Sequence, residues 1–155
     1  MKIVIQRVSE ASVSVEGKTV GRIGKGFMLL IGVAKGDTEQ DAITLAEKIY
    51  KLRVFEDENE KMNLSLADVN GGVLAISQFT LCAECRRGNR PDFFNAAPPS
   101  EANAIYEQFA EEMRKKGITT EMGIFGADMK VSLINDGPVT IILDSEELKK
   151  SRHAK

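Results

Sequence analysis

Histidine occurs once in these 155 residues, as His153 near the end of the chain, and cysteine only twice, as Cys82 and Cys85. A Ser-His-Asp triad would need the basic stretch Lys149-Lys150-Ser151-Arg152-His153 to fold back into a site, so a hydrolase built on this chain works without a histidine base. Zinc wants four Cys or His ligands, and no second pair completes the shell that Cys82-Ala83-Glu84-Cys85 would begin. A redox C-x-x-C wants a thioredoxin-like βαβ setting, whereas a loop-like Arg86-Arg87-Gly88-Asn89-Arg90-Pro91 follows here; incidental thiols in a reducing compartment are the favoured reading. No apolar run reaches the roughly 18–20 residues of a membrane helix, and Met1-Lys2-Ile3-Val4 does not open a signal-peptide pattern, so a cytoplasmic protein without membrane attachment is expected. The net charge of −2 argues against coating nucleic acid by bulk electrostatics and leaves a local basic patch open. There is no low-complexity segment, internal repeat or linker, and the length fits one domain.

What is present reads as strands and two main helices. Ile3, Ile5, Val13 and Val15 share one parity, with Val4 and Val8 interrupting it at an expected bend. Glu16-Gly17-Lys18 is a hairpin turn into Thr19–Ile23, and Gly24-Lys25-Gly26 leads to Phe27–Val33, an apolar run that suits a central strand covered on both faces. The first third therefore reads as a meander. Thr38 and Asp41 resemble a capping box, and Ala42, Leu45, Ala46 and Ile49 recur at helical spacing, with Lys48, Lys51 and Arg53 where cations suit the helix dipole. Val54-Phe55 is a short strand, the acidic stretch Glu56–Lys61 a solvated turn, and Asn70-Gly71-Gly72 turns into a buried strand, Val73–Ile76. Pro98-Pro99-Ser100 starts the longest helix, with Ser100 as N-cap, an apolar face of Ala102, Ile105, Tyr106, Phe109, Ala110 and Met113, and Gly117 as its stop. Thr119–Met122, Met129–Ile134 and Val139–Leu143 are three further strands, and a frayed helical tail follows Asp144.

Chemistry gathers in a few stretches. Ser77-Gln78-Phe79-Thr80-Leu81 closes its strand with three polar side chains, either a satisfied sheet edge or a binding site on a rigid element. Arg86, Arg87 and Arg90 form a compact basic loop that could hold phosphates or simply be solvated. Within Gly123–Met129, Phe125 and Met129 either plug the core, the favoured reading, or flank a flat ligand. In Asn135-Asp136-Gly137-Pro138-Val139-Thr140, the imide before proline makes a cis bond accessible, and a cis unit can aim two carbonyl oxygens the same way. On residue types alone, a trans Gly-Pro turn opening a strand is favoured.

Five blocks taken together resemble the D-aminoacyl-tRNA deacylase (D-tyrosyl-tRNA deacylase) family: Gln6-Arg7-Val8 with Ala11-Ser12-Val13, Ser77-Gln78-Phe79-Thr80-Leu81, Gly88-Asn89-Arg90-Pro91, Phe125-Gly126-Ala127-Asp128-Met129, and Asn135–Thr140. They occur in the family's order and cover residues 1–145. Cys82 and Cys85 stand where family members usually carry other residues, often an aromatic at the first.

The resemblance implies an α+β single domain over 1–145, mainly antiparallel and barrel-like with two main helices, and a polar tail over 146–155. It implies an enzyme that hydrolyses the ester of D-aminoacyl-tRNA, and of glycine mischarged on tRNA(Ala), without cofactor or metal. It further implies a homodimer with active sites at the subunit interface, in which a cis Gly137-Pro138 reaches into the partner's pocket and rejects L-aminoacyl groups. Gln78, Phe79 and Thr80, together with Gly137 and Pro138, would do the chemistry. Ser77 would line the pocket, Phe125 and Met129 would hold the terminal adenosine of tRNA, and Arg7 would orient the Gly-Pro unit. A non-catalytic nucleic-acid-binding module working through Arg86, Arg87 and Arg90 is the rival expectation.

Overall fold

The structure, a computed structural model, describes residues 1–150; Ser151, Arg152 and His153 of the expected basic tail lie outside the described residues. The chain begins with β1 (Lys2–Val15), the longest strand but one and the spine of the sheet. Its first half pairs antiparallel with β3 (Gly26–Gly32) and its second half with β2 (Lys18–Ile23), so the order is β2-β1-β3. A simple meander would have put β3 beside β2. Instead β1 is long enough to serve both, and the Gly24–Gly26 turn carries the chain past its own hairpin.

β3 then pairs in parallel with β6 (Gly72–Ser77), and β6 in parallel with β7 (Thr120–Met122). The sheet is therefore mixed: antiparallel around β1, parallel where helical crossovers feed it. β2 curls back over β6 and β7. At Gly21 an added Cβ would lie 3.0 Å from the Met122 carbonyl and 3.2 Å from Leu74 Cδ1, so glycine eases the close approach that nearly closes a barrel. β4 (Phe55–Glu56) and β5 (Met62–Leu64) make a separate two-stranded ribbon.

The two faces of the sheet have separate cores, as strand alternation requires. Ile3, Ile5, Phe27, Leu29, Ile31, Val73 and Ala75 face the helices, while Val8, Ala11, Val13, Met28, Leu74 and Ile76 fill the barrel interior. The continuous apolar run in β3 is explained by this double burial. Helix α1 (Glu39–Lys51) starts at the expected capping box of Thr38 and Asp41, in which the Asp41 carboxylate accepts from the Thr38 N–H at 2.8 Å. Helix α2 (Pro99–Lys115) begins at Pro99, with Pro98 rather than Ser100 in the cap position; proline at the first helical position lacks only an N–H that would have had no partner there. It buries the expected face and ends before Gly117, which takes φ +82°.

The last long element departs most from expectation. Met129–Ile134 and Val139–Leu143 are not two strands but one, β8 (Lys130–Asp144), antiparallel to β1 along its whole length. A break interrupts the pairing: Gln6 faces Thr140 and Val8 faces Asn135, so residues 136–139 stand opposite Arg7 alone. Among the described residues β8 pairs with nothing on its outer side, and Ile134 and Ile142 are 53% and 64% exposed along it. A single turn of helix, α3 (Ser145–Leu148), follows where a helical tail was expected, and the end of that tail lies outside the described residues.

Candidate active site

β6 ends at Ser77, four residues short of the expected strand end at Leu81, and the chain turns at once into a one-turn 3-10 helix, Phe79–Cys82. The Gln78 N–H still reaches the Ile31 carbonyl at 2.7 Å, holding the turn to β3. Gly32 then makes room: a Cβ there would lie 2.8 Å from the Cβ of Leu81. The outcome is that Phe79 and Thr80 stand exposed at the start of a helical turn, where main-chain N–H groups have no partner within the helix. The Gln78 amide donates to the Thr80 hydroxyl oxygen, so that oxygen faces an amide N–H rather than a base.

Ser77, Gln78 and Phe79 line a cavity of about 780 Å³. Phe125 and Met129 line it too, beside the Gly126–Asp128 turn, in which Gly126 takes φ +79°. Both are half-buried and also pack against the core, Phe125 toward the helices and Met129 toward the barrel interior, so the two readings offered by the sequence hold together. Behind Phe125 lies Tyr106 of α2, ring centroids 6.3 Å apart, anchored by its hydroxyl on the Ala75 carbonyl at 2.6 Å. Burial pushes the Tyr106 phenol up to about 12, which keeps it neutral behind the cavity. Gly123 gives Met129 its seat, since a Cβ there would fall 2.6 Å from the thioether sulfur.

Sequence reasoning missed much of the wall. Phe93 meets the ring of Phe79 edge-on at 5.0 Å, and Phe94, Lys35 and the Ala96–Pro99 stretch complete the lining. The adjacent pair Phe93-Phe94 in a proline-flanked loop was the available signal, since loops seldom carry consecutive aromatics without a surface to cover.

Gly137, Pro138, Arg7 and Thr80 are not among the residues that line this cavity. Gly137-Pro138 occupies the break in β8, and its peptide bond is cis, contrary to the trans reading favoured by the residues alone and as the resemblance implied. Arg7, 4% exposed on β1, lies directly beneath. Its Nε donates to the Asp136 carbonyl at 2.9 Å and Nη1 to the Val54 carbonyl at 2.6 Å, while Glu56 and the Asp136 carboxylate lie 3.8 and 4.0 Å away. Gly137 takes φ +130°, and an added Cβ would sit 2.9 Å from Arg7 Nη2, so the motif rests on the guanidinium. Beside it the Thr140 hydroxyl donates to the Gln6 side-chain oxygen.

The remaining candidates divide. Cys82 and Cys85 are both free thiols; Cys82 is half-buried, and burial, reinforced by the nearby Asp37 carboxylate, pushes its thiol up, away from nucleophilic use. Glu84 and Asp92 exchange main-chain hydrogen bonds of 2.8 and 3.0 Å, closing the loop that carries Arg86, Arg87 and Arg90 and leads into Phe93. Arg86 is folded onto Glu84 at 2.8 Å. In the acidic stretch, Asp57 accepts from the N–H groups of Asn59 and Lys61 at 2.8 and 3.1 Å, which lowers its carboxyl and makes this a closed polar turn. Asp37, Asp41 and Glu146 also converge, with Lys149 3.0 Å from both Asp41 and Glu146.

The model of the family described as D-Tyr-tRNA(Tyr) deacylase matches residues 4–144. The chain belongs to that family. Among proteins similar to this family member is the D-aminoacyl-tRNA deacylase of Geobacter sulfurreducens, 58% identical over 97% of this chain and 99% of that protein. The proteins of the same name from Thermotoga petrophila and Bacillus velezensis are 57% and 55% identical, covering 96% and 95% of this chain and 99% and 100% of theirs. With relatives matched end to end at that identity, the chain is an enzyme of the deacylase type. Of solved structures, one titled c-Myc DNA Unwinding Element Binding Protein superposes with a TM-score of 0.86 at 42% identity, covering 93% of this chain and 98% of that one. Another, titled as a probable eukaryotic D-amino acid tRNA deacylase, reaches 0.81 at 15% identity, covering 92% and 97%, and speaks for the α+β fold. Among the described residues no helix is long and apolar enough to cross a membrane.

Proposed function

We propose that the chain hydrolyses the ester between a D-amino acid, or glycine, and the 3′-terminal adenosine of tRNA, and that it does so as a homodimer. The observation that carries this reading is the cavity of about 780 Å³ with Ser77, Gln78 and Phe79 on its wall, at the start of the 3-10 turn that holds Thr80, and an aromatic and a thioether opposite. It has the size of a small-molecule site. A purine suits Phe125 and Met129, one a ring and the other a polarizable side chain that adapts to flat surfaces.

An aminoacyl ester is already prone to hydrolysis, so the protein has only to hold the carbonyl, admit water and stabilise the developing oxyanion. The N–H groups of Phe79 and Thr80, at the open start of their turn, are the donors. The adjacent ribose 2′-hydroxyl assists the water. Thr80 positions the acyl group instead of forming a covalent intermediate, since its hydroxyl oxygen is engaged by the Gln78 amide and has no base beside it.

Chirality is read by the carbonyl oxygens of Gly137 and Pro138, supplied by the second subunit. Three features support this: the unit does not line its own chain's cavity, it stands out of a strand that among the described residues has no partner on its outer side, and Arg7 braces it from below. With the α-ammonium held on those oxygens and the ester carbonyl fixed by the turn, an L side chain points into polypeptide backbone and a D side chain points away. Glycine has nothing to reject, so glycine mischarged on tRNA(Ala) is cleaved as well. Exclusion by a wall discriminates more strongly than the roughly 1–3 kcal/mol available from a methylene-sized difference in a pocket.

Matched D- and L-tyrosyl-tRNA in a deacylation assay test the proposal; comparable rates on the two would defeat it. A non-catalytic nucleic-acid-binding role has one favouring observation, the likeness to the structure of the c-Myc DNA Unwinding Element Binding Protein. Binding without turnover, indifferent to changes at Gly137 and Pro138, would select that role.

A further inference from the structure

Phe94 is 76% exposed, the most exposed large apolar side chain of the described residues, yet it belongs to the lining of the main cavity. Leaving a phenylalanine ring in water forgoes roughly 25 cal/mol for each Å² that could have been buried. The ring is therefore a surface with something to cover it. Directly over it stands Lys35, with Nζ 3.4 Å from the ring centroid. Among the described residues, Lys35 is the one cationic residue lining this cavity and Asp128 the one anionic residue, so the cavity carries its positive charge at the Phe94 side. Lys35 also lines the adjoining hollow of about 440 Å³, which places its ammonium on the ridge between the two. An exposed cation–π contact is worth only about 0.5–1 kcal/mol, little enough for a phosphate to take over the ammonium.

We propose that Phe94 and Lys35 form a subsite for the nucleotide that precedes the terminal adenosine: its base stacks on the ring of Phe94 and the linking phosphate is held by Lys35. This rests on the reading of the cavity as the site for an aminoacylated tRNA end. A cavity of about 780 Å³ takes a nucleoside and its acyl group, and the polynucleotide must then leave over the rim. Phosphates are attracted at the Lys35 side, while the Asp128 carboxylate across the cavity is paired with Lys130 at 3.4 Å. An aromatic face beside a cation is the combination by which single strands are held without reading their sequence. The loop with Arg87 and Arg90, in which Arg86 is paired with Glu84, runs straight into Phe93 and Phe94, so further phosphates along the same path meet positive charge.

The test compares D-tyrosyl-tRNA with D-tyrosyl-adenosine, which lacks the preceding nucleotide, on wild type, Phe94→Ala, Phe94→Trp and Lys35→Ala. Phe94→Ala should lower kcat/KM on the tRNA, through KM, about tenfold more than on the adenosine ester, and Phe94→Trp should recover it. Lys35→Ala should reduce the salt dependence of kcat/KM on the tRNA by about 0.7 in log–log slope, the signature of one lost phosphate contact on a single strand. Equal losses on both substrates, no loss on the tRNA, or a changed sedimentation coefficient that assigns Phe94 to a contact between two copies would each overturn the subsite. A wild-type protein that cleaves neither D-tyrosyl substrate would bring down the function itself, whereas an active wild type with indifferent variants would remove the subsite alone.

Discussion

Replacing Arg7 by methionine isolates what the guanidinium does beneath Gly137-Pro138. Methionine keeps the length and most of the volume of a side chain that is 4% exposed, so little cavity opens. What is lost is a pair of hydrogen bonds from a charged donor, 2.9 Å to the Asp136 carbonyl and 2.6 Å to the Val54 carbonyl. At about 1.5 kcal/mol each, the low end for such bonds because Asp136 is half exposed, they sum to about 3 kcal/mol. The ion pairs at 3.8 and 4.0 Å add little, since both carboxylates reach solvent. For a domain of this size that is a fall in melting temperature of about 6–12 °C by calorimetry. Activity should fall further than stability. The lost bond to Asp136 frees residues 136–139, which have no strand partner other than Arg7, so the hydrolysis of D-tyrosyl-tRNA at 25 °C, where the variant is still folded, should drop at least tenfold. Arg7→Lys should recover part of the melting temperature but not the activity, because an ammonium cannot reproduce the fork that reaches both carbonyls. A methionine variant melting within 2 °C of wild type, or one with unchanged D-tyrosyl-tRNA turnover, would refute the brace.

Other perturbations separate the remaining groups. Thr80→Ala should keep more than about 1% of the wild-type rate, and mass spectrometry under quench should find no acyl-threonine; a trapped acyl-enzyme on Thr80 would reverse its assigned role. Gly123→Ala should push the Met129 thioether out of its seat at a stability cost of about 1–2 kcal/mol, visible mainly as a raised KM. Exchanging both Cys82 and Cys85 for serine should leave deacylation within a factor of two, and a large loss would return the pair to the chemistry. Glu47 on α1 joins Lys116 beyond α2, both at 2.7 Å with Lys51 on its other oxygen, and these bonds, that from Lys116 foremost, draw its carboxyl from the usual 4.5 down to about 2. The fold thus favours the carboxylate, so its contribution is complete above pH 4.5 and is lost as pH falls toward 2. The melting-temperature difference between wild type and Glu47→Gln should shrink over that window, and a constant difference would contradict it.

Much of this was legible from the residues, and the failures share a cause. The helices follow from 3.6-residue spacing, and the double burial of Phe27–Ile31 from an apolar run too short for a buried helix. Local pattern could not show that β1 serves two neighbours on one side, because pairing depends on strand length and on a turn that sends β3 past β2. The 3-10 turn after Ser77 was missed for a similar reason: it forms because Gly32, far off in sequence, leaves space for Leu81. The isomer of Gly137-Pro138 was open at the level of residue types, and its support comes from Arg7, 129 positions from Asp136. Phe94 and Lys35 fell outside every motif. A rim has no period, and residues that meet across a cavity come from loops whose spacing carries no signal.

The division of the expected site residues is the more consequential result. Ser77, Gln78, Phe79, Phe125 and Met129 meet around one cavity; Arg7, Gly137 and Pro138 meet elsewhere, on the edge of the sheet. Neither half suffices for stereochemical selection on the proposed reading, since the cavity can bind an acyl group without orienting its ammonium and the Gly-Pro unit has no ester to act on. The edge that carries the second half also exposes Ile134 and Ile142 on a strand with no outer partner, a surface that soluble proteins ordinarily cover. On the proposed reading, a second copy docked along β8 would cover that edge and bring Gly137-Pro138 to a neighbour's cavity in one step. Dissociation and loss of D-over-L selection should therefore coincide: an Ile142→Lys variant that sediments as a monomer should lose both, and a monomer that still rejects L-tyrosyl-tRNA would place the selecting oxygens within a single chain.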